Sequence, residues 1–258
     1  MDYNFHAHTY LCSHATGTPE EYILKAIEGG LKYYGFSDHA AFDFPDGHNY
    51  RFRVPGEKLD EYKKIVFGLR EKYTDKIKIF YGFEMEYYPK FFDAMLKIAK
   101  NAGAEYLILG QHFLFNEEKK SDDEISAFRK VKTKEELYHF TECVTSAIKS
   151  GVFTYVAHPD TIDFDDYEEY KTEVEKICTA SKEFDVPLEI NFQGIREGRA
   201  YPNEKFWEIA GKIGCPVTFG FDAHQTHAAC DRESLPKAMA LVEKYKLNYI
   251  GMPKLKSL

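Results

Sequence analysis

The 258-residue sequence has no apolar run approaching the roughly 20 residues needed to span a bilayer, so no membrane partner is expected. Its N-terminus, Met1-Asp2-Tyr3-Asn4-Phe5, lacks the basic and apolar blocks of a secretory signal, and a cytoplasmic location is the expectation. Five cysteines (Cys12, Cys143, Cys178, Cys215 and Cys230) are odd in number, scattered and without a Cys-x-x-Cys pair. That pattern argues against a disulfide framework and for free thiols. Basic residues are also in deficit, 34 against 42 acidic, for a formal net charge of −8. Extended nucleic-acid binding needs a basic footprint along the phosphates, so no nucleic-acid partner is expected. A small phosphorylated substrate is not excluded, because bound metal ions can reverse the local field. There is no low-complexity tract, linker or block of like charge, and residues 1–258 read as one domain.

What the chain has is an alternation of short apolar β-prone runs with longer amphipathic stretches, the signature of βαβ units and a parallel sheet. Strands are expected at Tyr3–Ala7, Tyr33–Ser37, Ile77–Phe83, Tyr106–Gln111, Thr154–Ala157, Leu188–Asn191 and Val217–Phe221. Helices are expected at about Pro19–Gly29, Gly56–Tyr73, Lys90–Ala102, Lys134–Ser150, Tyr167–Phe184, Asn203–Ile213 and Leu235–Tyr245. The first carries a capping box, with Thr18 as N-cap, Pro19 at the first position and Glu21 at the third. Two long loops, Ala40–Pro55 and Leu114–Lys132, break the rhythm, and loops of that length in a compact domain are usually functional.

The histidines and carboxylates fall in register with this map. His6 and His8 end the first strand; Asp38 and His39 follow the second, Glu84 and Glu86 the third, and His112 the fourth. His158 follows the fifth, Asn191 ends the sixth, and Asp222 and His224 follow the seventh. In a β/α barrel those ends converge on one mouth, where active sites are built. Side chains repeat every second residue along a strand, so His6 and His8, and likewise Asp222 and His224, share a face and can chelate. Mixed nitrogen and oxygen donors suit Zn, Mn or Fe better than Ca or Mg alone. Nine donors, with His14 included, exceed one four-coordinate ion and imply two or three divalent ions. His139, inside a helix, and His227, in a loop, read as structural.

His6-Ala7-His8-Thr9, Cys12-Ser13-His14, Phe36-Ser37-Asp38-His39, Gly82-Phe83-Glu84, Gly110-Gln111-His112, Ala157-His158-Pro159 and Gly220-Phe221-Asp222-Ala223-His224 together resemble, in order, the motifs of the polymerase-and-histidinol-phosphatase (PHP) superfamily. The resemblance runs from residue 2 to about 251. It implies a distorted (β/α)7 TIM-like barrel with three divalent metal ions at the C-terminal ends of the strands. Carried over residue by residue, one ion would take His6, His8, Glu84 and Asp222. A second would share Glu84 and add His112 and His158, and a third would take His14, His39 and His224. The chain length and the segment Glu189-Ile190-Asn191 to Tyr201-Pro202 are most similar to the monofunctional histidinol-phosphate phosphatases. The implied activity is hydrolysis of a small phosphomonoester, L-histidinol phosphate. Phosphodiester or nucleolytic hydrolysis and phosphotyrosine-protein dephosphorylation are alternatives on the same cluster.

For phosphate binding, Arg196 and Arg199 are the leading candidates, since a guanidinium fork matches phosphate oxygens. Arg51, Arg53 and His48 in the first long loop are weaker ones. Asp160, Asp222 or His224 could protonate the leaving alkoxide. Glu86 and Asp43, with Phe42 and Phe44, are available to read the substrate's ammonium and imidazole.

Overall fold

The computed structural model describes residues 1–45, 47, 52–115, 125–128 and 130–258. In chain order the elements are β1 (Tyr3–Asn4), α1 (Pro19–Glu28), β2 (Tyr33–His39), α2 (Leu59–Lys72), β3 (Lys78–Met85), α3 (Phe92–Ala102), β4 (Tyr106–Leu109), β5 (Phe113–Leu114), β6 (Ile125–Ser126), α4 (Lys134–Ser150) and β7 (Phe153–Val156). There follow α5 (Tyr167–Phe184), β8 (Leu188–Asn191), α6 (Phe192–Glu197), α7 (Glu204–Ile213), β9 (Pro216–Gly220), α8 (Leu235–Tyr245) and β10 (Asn248–Tyr249). The expected α4, α5 and α8 coincide with those observed. The Thr18/Glu21 capping box is formed at α1, and Thr133 with Glu136 forms a second at α4.

The principal sheet is parallel throughout, in the order β1-β2-β3-β4-β7-β8-β9-β10, and it curls with helices on its outer face. Seven of these strands are the expected ones. β10, two residues on the free edge of β9, is too short to leave a pattern in sequence.

The first strand was expected to run to Ala7, but its ladder stops at Asn4. The Asn4 side chain takes over the hydrogen bonding: Oδ1 accepts from Phe221 N (2.9 Å) and Nδ2 donates to His6 O (3.0 Å). Beyond this point the curl closes, with His8 N donating to Ala223 O (2.9 Å) and Ala223 N to His6 O (3.2 Å). His6, His8, Asp222 and His224 thereby meet across the seam between first and last barrel strands. At the other end of the seam the Tyr3 hydroxyl donates to Gly251 O (2.8 Å), tying β1 to the segment after β10.

Two apolar layers hold the sheet. The larger lies between strands and helices and includes Ile79, Tyr81, Phe83, Leu107, Leu109, Leu188, Ile190, Val217 and Phe219. A smaller cluster of Tyr3, Phe5, Tyr106, Ile108, Tyr155 and Ala157 fills the opposite face. The near-continuous apolar runs of β4 and β9 are what burial on both faces requires. In the small cluster, the Tyr106 hydroxyl reaches the carbonyls of both Phe5 and Phe36 at 3.0 Å.

Candidate metal centre

The residues at the strand ends converge on Glu84. Strands β2 and β3 run further than expected, so His39 and Glu84 sit inside their strands, while His6, His8, His112, His158, Asp222 and His224 sit just past theirs. Glu84 Oε2 lies 3.3 Å from His6 Nε2, 3.4 Å from His8 Nε2 and 3.3 Å from His39 Nδ1. Its other oxygen, Oε1, lies 3.2 Å from His112 Nε2 and 3.0 Å from His158 Nε2. Asp222 Oδ1 is 3.5 Å from both His6 Nε2 and His8 Nε2, and 3.1 Å from His224 Nδ1. His14 completes the group from the turn after Cys12, its Nε2 only 2.8 Å from His224 Nε2.

These donors fit a metal and fit little else. Buried polar atoms are nearly always hydrogen-bonded. Yet His6 Nε2, both ring nitrogens of His8, His39 Nδ1, Glu84 Oε2 and Asp222 Oδ1 are buried without a hydrogen-bond partner. Ligands about 2.1 Å from a tetrahedral ion stand about 3.4 Å from each other, close to the spacings around Glu84 and Asp222. The triads His6/His8/Asp222, His6/Glu84/His158 and His8/His39/His224 each bring one donor apiece within 4.8 Å of one another. The donor set is one for divalent metal. Cys12 joins His14 and His224 in a further such triad, a neighbour not among the expected ligands.

The surroundings fix which nitrogen three of the histidines present. His6 Nδ1 is 2.9 Å from Glu189 Oε1, His112 Nδ1 2.9 Å from Glu86 Oε1, and His14 Nδ1 2.8 Å from Cys12 O. Each Nδ1–H is donated outward, which leaves Nε2 bare toward the cluster. Glu189 also accepts from His158 N (3.1 Å) and Asn191 Nδ2 (2.9 Å), and the same Asn191 nitrogen lies 3.0 Å from Asp222 Oδ2. Strand β8 therefore supplies no donor to the cluster but orients three. Two glycines make room: a Cβ on Gly110 would stand 1.9 Å from Glu84 Oε1, and one on Gly220 1.7 Å from Glu189 Oε1. His158 (φ 31°) and Asp222 (φ 47°) adopt left-handed backbone that non-glycine residues rarely occupy, a strain typical of functional sites. Burial opposes ionisation of Glu84, but the rings of His112 and His6 hold its carboxyl well below the usual range. Burial keeps His39 neutral and, helped by His224, lowers His14 to about 4, so both rings are available as ligands.

The PHP-domain family model matches residues 4–193. The chain belongs to the PHP family. A histidinol-phosphatase of Lactococcus lactis is 26% identical over 260 residues, covering 95% of this chain and 90% of the relative. A Deinococcus radiodurans protein named "Probable histidinol-phosphatase" is 25% identical over 226 residues, 85% of each chain. The crystal structure of Lactococcus lactis histidinol phosphate phosphatase, complexed with zinc, L-histidinol and phosphate, superposes with a TM-score of 0.70 at 22% identity, covering 96% of this chain and 95% of that one. Its likeness establishes the TIM-like fold. No helix among the described residues is long and apolar enough to cross a membrane.

In this PHP protein the cluster forms the floor of a cavity of about 270 Å³. Its upper wall is Phe52, Phe113, Ser126, Phe128, Gln193 and Arg199. Phe52 stacks on Phe113 (5.6 Å between centroids) and meets His39 edge-on, while Phe128 stacks on His112 at 5.5 Å. Neither long loop betrayed its aromatic wall in sequence, because a phenylalanine in a loop reads equally as core.

Several expected substrate contacts lie elsewhere. Arg196 faces away from the cavity: it donates to Asp231 (2.8 Å) and to the carbonyls of Phe221 and Asp222 (3.3 Å each), bracing the strained turn that presents Asp222. Arg199 does line the cavity, with contacts to Glu197 and the Tyr201 hydroxyl. Asp160 is not on the cavity wall; its Oδ2 accepts from Asn203 N and Trp207 Nε1, both at 2.7 Å, which ties it to the start of α7. Glu86 is fully buried behind His112, engaged by His112 and Arg53, and does not line the cavity. Arg53, equally buried, is likewise no phosphate ligand. Phe42 and Phe44 pack into the core against Phe91, and Asp43 is exposed outside the cavity. His48 and Arg51 lie outside the described residues. His139 is structural as expected, accepting from Phe115 N.

Proposed function

We propose that this protein is a cytoplasmic, metal-dependent phosphomonoesterase that hydrolyses L-histidinol phosphate to L-histidinol and phosphate, a step of histidine biosynthesis. The carrying observation is the set of buried, partnerless nitrogens of His6, His8 and His39 gathered on Glu84 Oε2, with His112 and His158 on its other oxygen, beneath a small, aromatic-walled cavity. Three divalent ions (Zn, Mn or Fe) are assigned: one to His6, His8, Glu84 and Asp222, a second to Glu84, His112 and His158, and a third to His14, His39 and His224. When bound, such ions acidify water and polarise phosphoryl oxygens.

The chain's own groups divide the remaining work. Arg199, on the cavity wall, holds phosphate oxygens and offsets developing charge. Asp222 and His224, which line the cavity, are assigned the return of a proton to the departing ester oxygen. Phe52, Phe113 and Phe128 offer flat apolar surface to the imidazole of the alcohol, and Gln193 and Ser126 offer polar contacts to its amino-alcohol end. The relatives named histidinol-phosphatase, aligned over most of their length, support this substrate.

The test is phosphate release from L-histidinol phosphate against a panel of other phosphomonoesters, single-stranded DNA and phosphotyrosyl peptides, with metal-loaded and chelator-treated protein. The expected result is a metal-dependent preference for L-histidinol phosphate. Faster turnover of DNA or phosphotyrosyl peptide would overturn the substrate assignment.

A further inference from the structure

The side chains behind His112 form a chain that ends on an arginine. Glu86 Oε1 takes the His112 Nδ1–H at 2.9 Å, and Glu86 Oε2 takes Arg53 Nη2–H at 2.6 Å. Glu86 is completely buried and Arg53 is 2% exposed. The other arm of the guanidinium, Nη1, donates to Ala40 O at 2.9 Å, and Ala40 N in turn donates to Glu84 O at 2.8 Å. One residue further on, Val54 N donates to His39 O at 3.1 Å. The guanidinium also lies over the Phe52 ring, 5.2 Å from its centroid. Arg53 is thus held at both ends by the two strands that carry His39 and Glu84.

We infer that Arg53 is a positioning residue for the metal centre, acting through Glu86 on His112. This rests on the metal-site reading but not on any particular substrate. A carboxylate bonded to the outer nitrogen of a ligand histidine fixes ring and tautomer and increases the donor strength of the inner one. That works only if the carboxylate stays charged and stays put in a place without water. A buried carboxylate lacking a counter-charge is strongly disfavoured, and Arg53 supplies both the charge and the second fixed contact. The planar fork engages Glu86 and Ala40 O together, which the single ammonium of lysine cannot reproduce in direction.

The experiment compares wild type with Arg53→Lys, Arg53→Met, Glu86→Gln and the Arg53→Met/Glu86→Gln pair. Zinc affinity is read by competition with a chromophoric chelator and thermal unfolding of the apo-proteins is followed alongside. Loss of outer partners of metal histidines typically weakens metal binding 10- to 100-fold. The expected result is a tenfold or greater loss of zinc affinity at the weakest site in Arg53→Met and Glu86→Gln, a smaller one in Arg53→Lys, and a double variant little worse than either single one. Zinc affinity unchanged within twofold in folded Arg53→Lys and Glu86→Gln, whatever happens to stability, would overturn the inference, as would fully additive losses in the pair. Because zinc binding is the readout, absence of histidinol-phosphate hydrolysis would leave this result standing on its own.

Discussion

His14 and His224 point their Nε2 atoms at each other across 2.8 Å. The outer nitrogen of His14 is committed to Cys12 O, so its Nε2 carries a bare lone pair. Burial lowers His14 to about 4 and lowers His224 as well, so near neutral pH both rings are uncharged and available to a cation. Stripping metal should therefore abolish hydrolysis and destabilise the fold together. A ligand at a thousand times its Kd contributes about 4 kcal/mol, roughly ten degrees in Tm for a chain of this size. Calorimetry of chelated and zinc-reconstituted protein checks this, with recovery of both activity and Tm expected on reconstitution.

Glu84→Gln should be the most damaging isosteric change, because both oxygens face donor histidines. Loss of more than one equivalent of bound metal and an activity drop on the order of a thousandfold, about 4 kcal/mol of barrier, are expected. Elemental analysis beside kcat/KM tests it.

The two arginines of the β8–α7 segment should separate. Arg199→Ala should lower kcat/KM roughly 10- to 100-fold, as expected for losing charged hydrogen bonds worth about 1.5–3 kcal/mol. Arg196→Ala should instead reduce thermal stability and metal retention, because it releases the Asp222 turn and leaves Asp231 without its cation. Substrate-saturation kinetics and melting curves on both variants distinguish the roles.

That division was not readable in sequence. Sequence spacing places Arg196 and Arg199 in one loop but says nothing of which way each points, and α6 was not foreseen because six residues are too few to establish a helical period. The clustering of the histidines and carboxylates was legible for the opposite reason. His6-x-His8 follows the two-residue period of extended chain, and every donor but His14 sits at a strand end that the apolar runs disclose. Glu189, Glu86 and Arg53 became intelligible only in three dimensions, since a partner for a ligand's outer nitrogen comes from another strand or loop at no fixed separation.

Asp160→Asn offers a check on the tie between that residue and α7. Burial pushes its carboxyl up to about 7, from an ordinary 3.8. A raised folded-state value means that its contribution to stability is fully present below about pH 4 and lost as pH rises through 7. The wild type should lose on the order of 2–4 kcal/mol from this group across that window, and the variant, uncharged throughout, should not. Denaturant unfolding at pH 5 and pH 8 measures the difference, while kcat should change by no more than a few-fold.

The most direct measurement is anomalous diffraction from zinc- or manganese-soaked crystals. Ions in coordination contact with each of the two Glu84 oxygens, with His6, His8 and Asp222 on one side and His112 and His158 on the other, and a third ion between His14 and His224, are expected. No anomalous peak at Glu84, or one ion bound elsewhere in the chain, would contradict the metal centre and the phosphatase built on it.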